Sequence, residues 1–163
     1  MVVMWHVLEH VRDPKKNIET AARILKPGGR LVVAVPNFAS LQARLGRGRW
    51  FHLDVPRHLF HFTPETLRGL LTRAKFSQVR TSFLSIEQNP FGLLQTSLNL
   101  LFGRPNRLYK ALKRGTQAGL SLGHLLFWRG VYWALMPLAV LLSTVESLLG
   151  RGGTFYVISE KRD

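Results

Sequence analysis

The chain predicts an α/β fold organised on a parallel sheet. Two continuous apolar runs, Met1–Trp5 and Leu31–Val35, have the length and composition of strands buried on both faces of such a sheet. Between them lies one amphipathic helix with clear start and stop signals, so the stretch reads strand, helix, strand, the crossover unit of a parallel sheet. At 163 residues, 46% hydrophobic and 20% charged, the chain is long and apolar enough to close a core.

The elements follow in order. Met1–Trp5 opens without a turn signal before it. Asp13-Pro14 starts the helix, Asp as cap and Pro in the first turn, and Ile18, Ala21, Ala22 and Leu25 recur at helical spacing. Lys26-Pro27-Gly28-Gly29 ends it, because Pro blocks continuation and Gly supplies positive φ. Leu31–Val35 is the second strand, closed by Pro36-Asn37. Ala39 to His61 is a long connection rich in Arg, Gly and aromatic residues, a length that usually serves function. Thr63-Pro64-Glu65 caps another helix, with Leu67, Leu70, Leu71 and Ala74 on its apolar face. Val79–Ile86 and Thr154–Ser159 read as the third and fourth strands. Between these two strands runs an insert of about residues 88–153. It holds an apolar helix from Leu93 to Phe102, a break at Gly103–Asn106, and a basic amphipathic piece within Arg104–Arg114. A nearly all-apolar stretch, Leu120–Leu149, closes it. The predicted divisions are 1–87 and 154–163 for the core and 88–153 for the insert.

Cysteine is absent, which excludes a disulfide framework and thiolate metal sites and fits a reducing compartment. Met1–Leu8 is apolar but has no basic region before it, so it does not read as a secretory signal. The formal net charge of +14 favours polyanions, either nucleic acid or anionic lipid.

Four stretches carry a resemblance. They are Trp5-His6-Val7-Leu8-Glu9-His10-Val11-Arg12-Asp13-Pro14; Ile24-Leu25-Lys26-Pro27-Gly28-Gly29-Arg30-Leu31; Val35-Pro36-Asn37; and Trp50–Asp54 continued by Pro56, Arg57, His58, Leu59, Phe62 and Thr63. In this order and spacing they resemble the class I S-adenosylmethionine-dependent methyltransferases, and most the branch of ubiquinone-biosynthesis and glycan O-methyltransferases. The likeness covers Met1 to about Phe83 and resumes at Thr154–Lys161. It implies the C-terminal half of a Rossmann-like methyltransferase sheet. Met1–Trp5 corresponds to strand 4, Leu31–Val35 to strand 5, and the last two strands to the terminal antiparallel pair. Three further strand–helix units, about 90 residues, would precede Met1 in that scheme, with a glycine-rich turn and an acidic ribose ligand. No G-x-G-x-G occurs in the chain. On this expectation the isolated chain leaves an apolar edge strand open and neither folds robustly nor methylates.

The resemblance also assigns roles. Met4, Trp5 and His6, at the carboxyl end of the first strand, are expected to touch the methionine part of S-adenosylmethionine. Asp54 and His58 are the expected catalytic pair: O-methylation needs an acceptor hydroxyl deprotonated during transfer, and a carboxylate-oriented histidine suits that work. His61 shares the same connection. Arg44, Arg47, Arg49 and Arg57 are suited to a substrate phosphate or carboxylate, or to a solvated loop. His6-x-x-Glu9-His10 matches a zinc-protease spacing, but that chemistry needs a helix and this run straddles a strand end. Some ubiquinone-type relatives bind a divalent ion through E-x-x-E-H. Here His6 replaces the first carboxylate, so no metal is expected.

Gly130–Val145 is an uncharged run of sixteen residues, short of the ~20 needed to span a bilayer, with Pro137 expected to break it. An in-plane membrane helix fits better, with Trp128, Tyr132 and Trp133 at the interface and the basic piece beside anionic lipid. A soluble cap over the active site is the other reading of the insert. The expected activity is methyl transfer to a hydroxyl of a small, glycan or lipid-linked acceptor. The expected location is cytoplasmic, peripheral to the inner face of the membrane. RNA methylation is the rival suggested by the charge and opposed by the apolar insert. A non-catalytic membrane-associated remnant is the rival outside the enzyme class.

Overall fold

The computed structural model describes residues 1–103, 106–115 and 120–162, with Arg114 described by its backbone alone. Four strands form one sheet. They are β1 (Val2–Trp5), β2 (Arg30–Pro36), β3 (Phe76–Ser82) and β4 (Thr154–Lys161), in the spatial order β1-β2-β4-β3. β1 and β2 pair in parallel, and β4 runs antiparallel to both β2 and β3. This is the order expected for strands 4, 5, 7 and 6 of a Rossmann-like methyltransferase sheet.

Local chemistry explains the helices around the sheet. α1 (Pro14–Ile24) starts where the Asp13 side chain accepts from the Lys16 amide at 2.9 Å. Gly28, at φ +72°, turns the chain back into β2. α2 (Leu41–Gly46) is capped by Ser40, and α3 (Pro64–Arg73) by a Thr63–Thr66 capping box. Ile18 and Ala21 of α1 and Leu67 and Leu71 of α3 cover one face of the sheet. There they meet Leu31, Val33, Val35, Phe155 and Val157.

Three sequence expectations change in the structure. β1 is not buried on both faces: Val2 and Met4 pack on the core beneath α1 and α3, while Val3 and Trp5 alternate to the opposite face and are exposed. β3 begins at Phe76 rather than Val79, since Phe76 fills the core and the ladder shifts register between Gln78 and Arg80; Leu84 and Ile86 lie exposed beyond the strand. Pro137 does not break the apolar stretch. It sits exposed inside α6 (Leu122–Leu148), where the packing of the helix's other face outweighs one lost backbone hydrogen bond.

The insert comprises α4 (Gln88–Phe102), α5 (Arg107–Arg114) and α6. Leu94, Leu98, Leu108, Ala111, Trp128 and Ala139 form its own small core. Arg104 and Pro105, part of the expected break and basic piece, lie outside the described residues. A buried polar hub ties these helices to the sheet. The Gln42 amide and its Nε2 donate to the two carboxylate oxygens of Glu146 at 3.0 and 2.8 Å. Asn89 accepts from the Thr154 amide at 2.7 Å and donates to Phe83 O and Ser147 Oγ. Replacing Glu146 by Ala strands two buried donors of Gln42, each costing a desolvation penalty. We expect the variant to lose about 2–4 kcal/mol in urea unfolding; a loss within measurement error would show that the hub does not hold the insert.

Candidate active site

The carboxyl end of β1 opens into a cavity of about 630 Å³, lined from β1, the long connection and all three insert helices. Its floor is the turn that follows β1. Leu8 is fully buried and pins this turn, and the His10 amide closes it on Val7 O. His6 takes a left-handed backbone at φ 51° and donates its own amide to Ala34 O. Glu9 is 1% exposed and its carbonyl accepts from the amides of Leu59 and Phe60, clamping the connection onto the turn.

Side-chain hydrogen bonds then set proton positions. His6 Nδ1 donates to Glu9 Oε1 at 3.0 Å, which leaves His6 Nε2 as an acceptor. His6 Nε2 and Glu9 Oε2 are both buried without a protein partner. His58 Nδ1 donates to the His52 carbonyl at 2.7 Å, and His10 Nδ1 to the Arg57 carbonyl at 3.0 Å. The His58 ring therefore presents a lone pair on Nε2. Burial pushes the His58 pKa down, while the His52 carbonyl, Glu9 and Asp54 oppose the shift. His58 is thus a neutral base held in one tautomer.

The structure places the expected residues as follows. Trp5 and His6 line the cavity; Met4 packs against the core beneath it. Asp54 and His58 both line the cavity, but the Asp54 carboxylate pairs with Arg57 at 3.3 Å. The group that orients His58 is the His52 carbonyl. Asp54 contributes instead by its backbone, whose carbonyl accepts from the amides of Arg57 and His58. His61 donates from Nε2 to Leu53 O and braces the connection. Of the four arginines, Arg57 alone lines this cavity.

Residues from the insert were not legible as site residues. Tyr109 and Lys113 of α5 and Tyr132 of α6 line the cavity. Lys113 Nζ lies 5.2 Å from the Tyr109 ring centroid, and Lys113 and Arg57 draw the Tyr109 pKa down. One ligand-capable atom from each of Glu9, His10 and His58 falls within 4.8 Å of the others. The spacing His6-x-x-Glu9-His10 could not reveal this group, because His58 arrives from the connection. It offers a single carboxylate, and both histidine Nδ1 atoms are engaged by backbone carbonyls, a poor set for a hard oxygen-seeking cation.

His52 is the second unforeseen member. It is 5% exposed, its Nε2 has no protein partner, and burial first, then His6 and His58, pushes its pKa down to about 3. A methyl group added at Gly92 would lie 2.5 Å from His52 Nε2 and 2.9 Å from Gln42 Oε1. Gly92 thus lets α4 approach the histidine. Because the folded pKa lies below the unfolded value of 6.5, the unfolded chain takes up the proton first. Stability contributed by neutral His52 is present above pH 6.5 and drains away as pH falls toward 3. Between pH 7 and pH 5 the loss should be on the order of 2 kcal/mol. His52→Gln should flatten that slope in urea titrations; an unchanged slope would assign it to other groups.

Comparison with known proteins fits this geometry. A family model described as a methyltransferase domain matches residues 1–81. A ubiquinone biosynthesis O-methyltransferase of Caulobacter vibrioides is 32% identical over 113 residues, 66% of this chain and 40% of the relative. The Haemonchus contortus phosphoethanolamine N-methyltransferase 2, solved with phosphomonomethylethanolamine and S-adenosylhomocysteine, superposes with a TM-score of 0.50 at 14% identity. That match covers 99% of this chain and 33% of the other. A Galdieria sulphuraria protein assigned provisionally as a sarcosine dimethylglycine methyltransferase gives 0.51 at 16% identity, covering 99% and 52%. The chain thus spans well under two thirds of the length of these proteins. Strand order, the cavity at the end of β1 and the sequence match agree: the chain belongs to the class I S-adenosylmethionine-dependent methyltransferases.

Proposed function

We propose that this chain serves S-adenosylmethionine-dependent methyl transfer to a hydroxyl of a small, glycan or lipid-linked acceptor. The observation that carries the reading is His58. Its Nδ1 is fixed on a backbone carbonyl and its Nε2 lone pair belongs to a cavity-lining ring at the carboxyl end of β1. S-adenosylmethionine, when bound, supplies an electrophilic methyl group.

The residues present fit that cofactor. Trp5 and His6 would hold its methionine end. The two buried acceptors without partners, His6 Nε2 and Glu9 Oε2, suit a ligand that brings N–H or O–H donors such as an ammonium. His58 Nε2 takes the proton from the acceptor hydroxyl, and Glu9 and Asp54 stabilise the imidazolium that results. Arg57 and Lys113 at the wall of the cavity favour an acceptor carrying a negative group.

Two measurements on the full natural protein test the reading. Trp5→Ala should weaken S-adenosylhomocysteine binding about tenfold in calorimetry, because an aromatic face is lost from the ligand's wall. His58→Gln should leave that binding intact and lower kcat by about 10²–10⁴. The acid limb of kcat/KM should have its midpoint below 6.5, the direction set by burial of His58, and should vanish in His58→Gln. An unaltered acid limb in the variant would remove His58 from the role of base.

A further inference from the structure

The outward side of α6 has no partner among the described residues. One stripe of the helix turns inward: Trp128, Ala139, Ser143, Glu146 and Ser147 are buried, and Leu125, Tyr132 and Met136 pack on the insert's core. The rest of the helix is open. Leu126, Phe127, Trp133, Leu138, Leu141 and Leu148 are each more than half exposed. The most apolar window of α6 has a mean hydropathy of 1.7 and is 11% buried, and by length and composition the helix could cross a membrane. Leu101 and Phe102 at the end of α4 are exposed as well. Such an expanse exceeds what a soluble surface normally carries.

We propose that this face of α6 seats the protein on an anionic lipid bilayer, lying in its plane. Three observations select that occupant. First, Arg129 is the only formally charged residue between Leu122 and Val145, so the exposed side lacks the polar rim that a protein interface carries. Second, the charge complements anionic lipid. Lys110 and Lys113 are exposed on α5, and Arg107 borders a hollow with Phe127 at the start of α6. The chain's formal charge of +14 opposes close approach of a second copy and draws the chain to a negative surface. Third, α6 cannot be surrounded by lipid. Its last turns are fixed to α2 by Glu146 and Gln42, and its inward stripe to the insert's core, so only one side is available.

The placement has a consequence for the cavity. α6 supplies Tyr132 to the cavity lining, and the next residue, Trp133, is 71% exposed on the outward side. A helix seated in the headgroup region therefore carries one wall of the cavity at the lipid surface. The docking itself does not rest on the methyltransferase reading.

The test is vesicle flotation of the full natural protein. Phosphatidylcholine vesicles are compared with vesicles containing roughly a third phosphatidylglycerol. We expect binding to the anionic vesicles, weakened but not abolished by salt. The double variant Phe127→Asp/Leu138→Asp should bind about tenfold less or worse. Lys110→Glu should reduce binding to anionic vesicles only. Near-UV circular dichroism and S-adenosylhomocysteine affinity should stay unchanged in all variants, which separates docking from folding and from the catalytic reading. A folded protein that ignores both vesicle types overturns the proposal. So does one whose dimer falls apart in the double variant without vesicle binding, since a second copy would then be the occupant; binding to RNA alone assigns the charge to another partner.

Discussion

A buried polar hub built on Gln42, Asn89 and Glu146 ties the insert of this molecule to its sheet. Glu146 comes from the far end of a long apolar helix, yet both its oxygens are taken by Gln42 at the start of the connection. Burial raises the pKa of Glu146, and the hydrogen bonds from Gln42 work against that rise. If those bonds failed, α6 would lose its carboxylate anchor on α2, and Gln42, which also donates to Asn89 O of α4, would lose its orientation. The cavity lies between the end of β1 and the insert, so the contacts that seat the insert also set the position of its far wall.

The same geometry sets two opposed titrations. Glu146 has a raised folded pKa, so the stability tied to its protonated form is fully present in acid and is lost as pH rises through that pKa. His52 has a depressed folded pKa, so its contribution fades as pH falls below the unfolded value. Burial causes both shifts, and both groups sit within one layer between sheet and insert. Desolvation penalises the charged form of each group, whichever sign it carries. Acid therefore weakens the layer through His52, while the hydrogen bonds from Gln42 hold back the rise in the Glu146 pKa.

Much of the fold could be read from the chain because its signals are local. Asp13-Pro14, Gly28 and Thr63-Pro64 act through neighbours one to four residues away, and each sits in the structure where its chemistry put it. The errors arose where distant residues decide. β1 reads as doubly buried from its composition, but exposure of Val3 and Trp5 depends on which face of the sheet the helices cover. Pro137 reads as a break, but the inward stripe of α6 packs along the whole helix. For the site, Trp5, His6 and His58 follow from their positions at a strand end and in a long connection. That His58 is oriented by a carbonyl rather than by Asp54 does not, because four-residue spacing brings carboxylate and ring together only in a regular helix. Tyr109 and Lys113 carry no site signal in sequence, and Tyr132 reads there as a membrane-interface residue beside Trp128, whereas the structure turns both inward, Tyr132 to the cavity and Trp128 to the insert's core.

That last group shows how the insert and the core divide the work. The core supplies a strand end, the turn with His6 and Glu9, and His58 from the connection. The insert supplies the opposite wall from helices whose other sides are basic or apolar. Arg57 from the connection and Lys113 from α5 both line the cavity, as does Tyr132 from α6. On the proposed function, an acceptor with an anionic group would meet Arg57 and Lys113 in the cavity that His58 also lines. The core thus brings His6, Glu9 and His58 to the cavity, and the insert brings Tyr109, Lys113 and Tyr132.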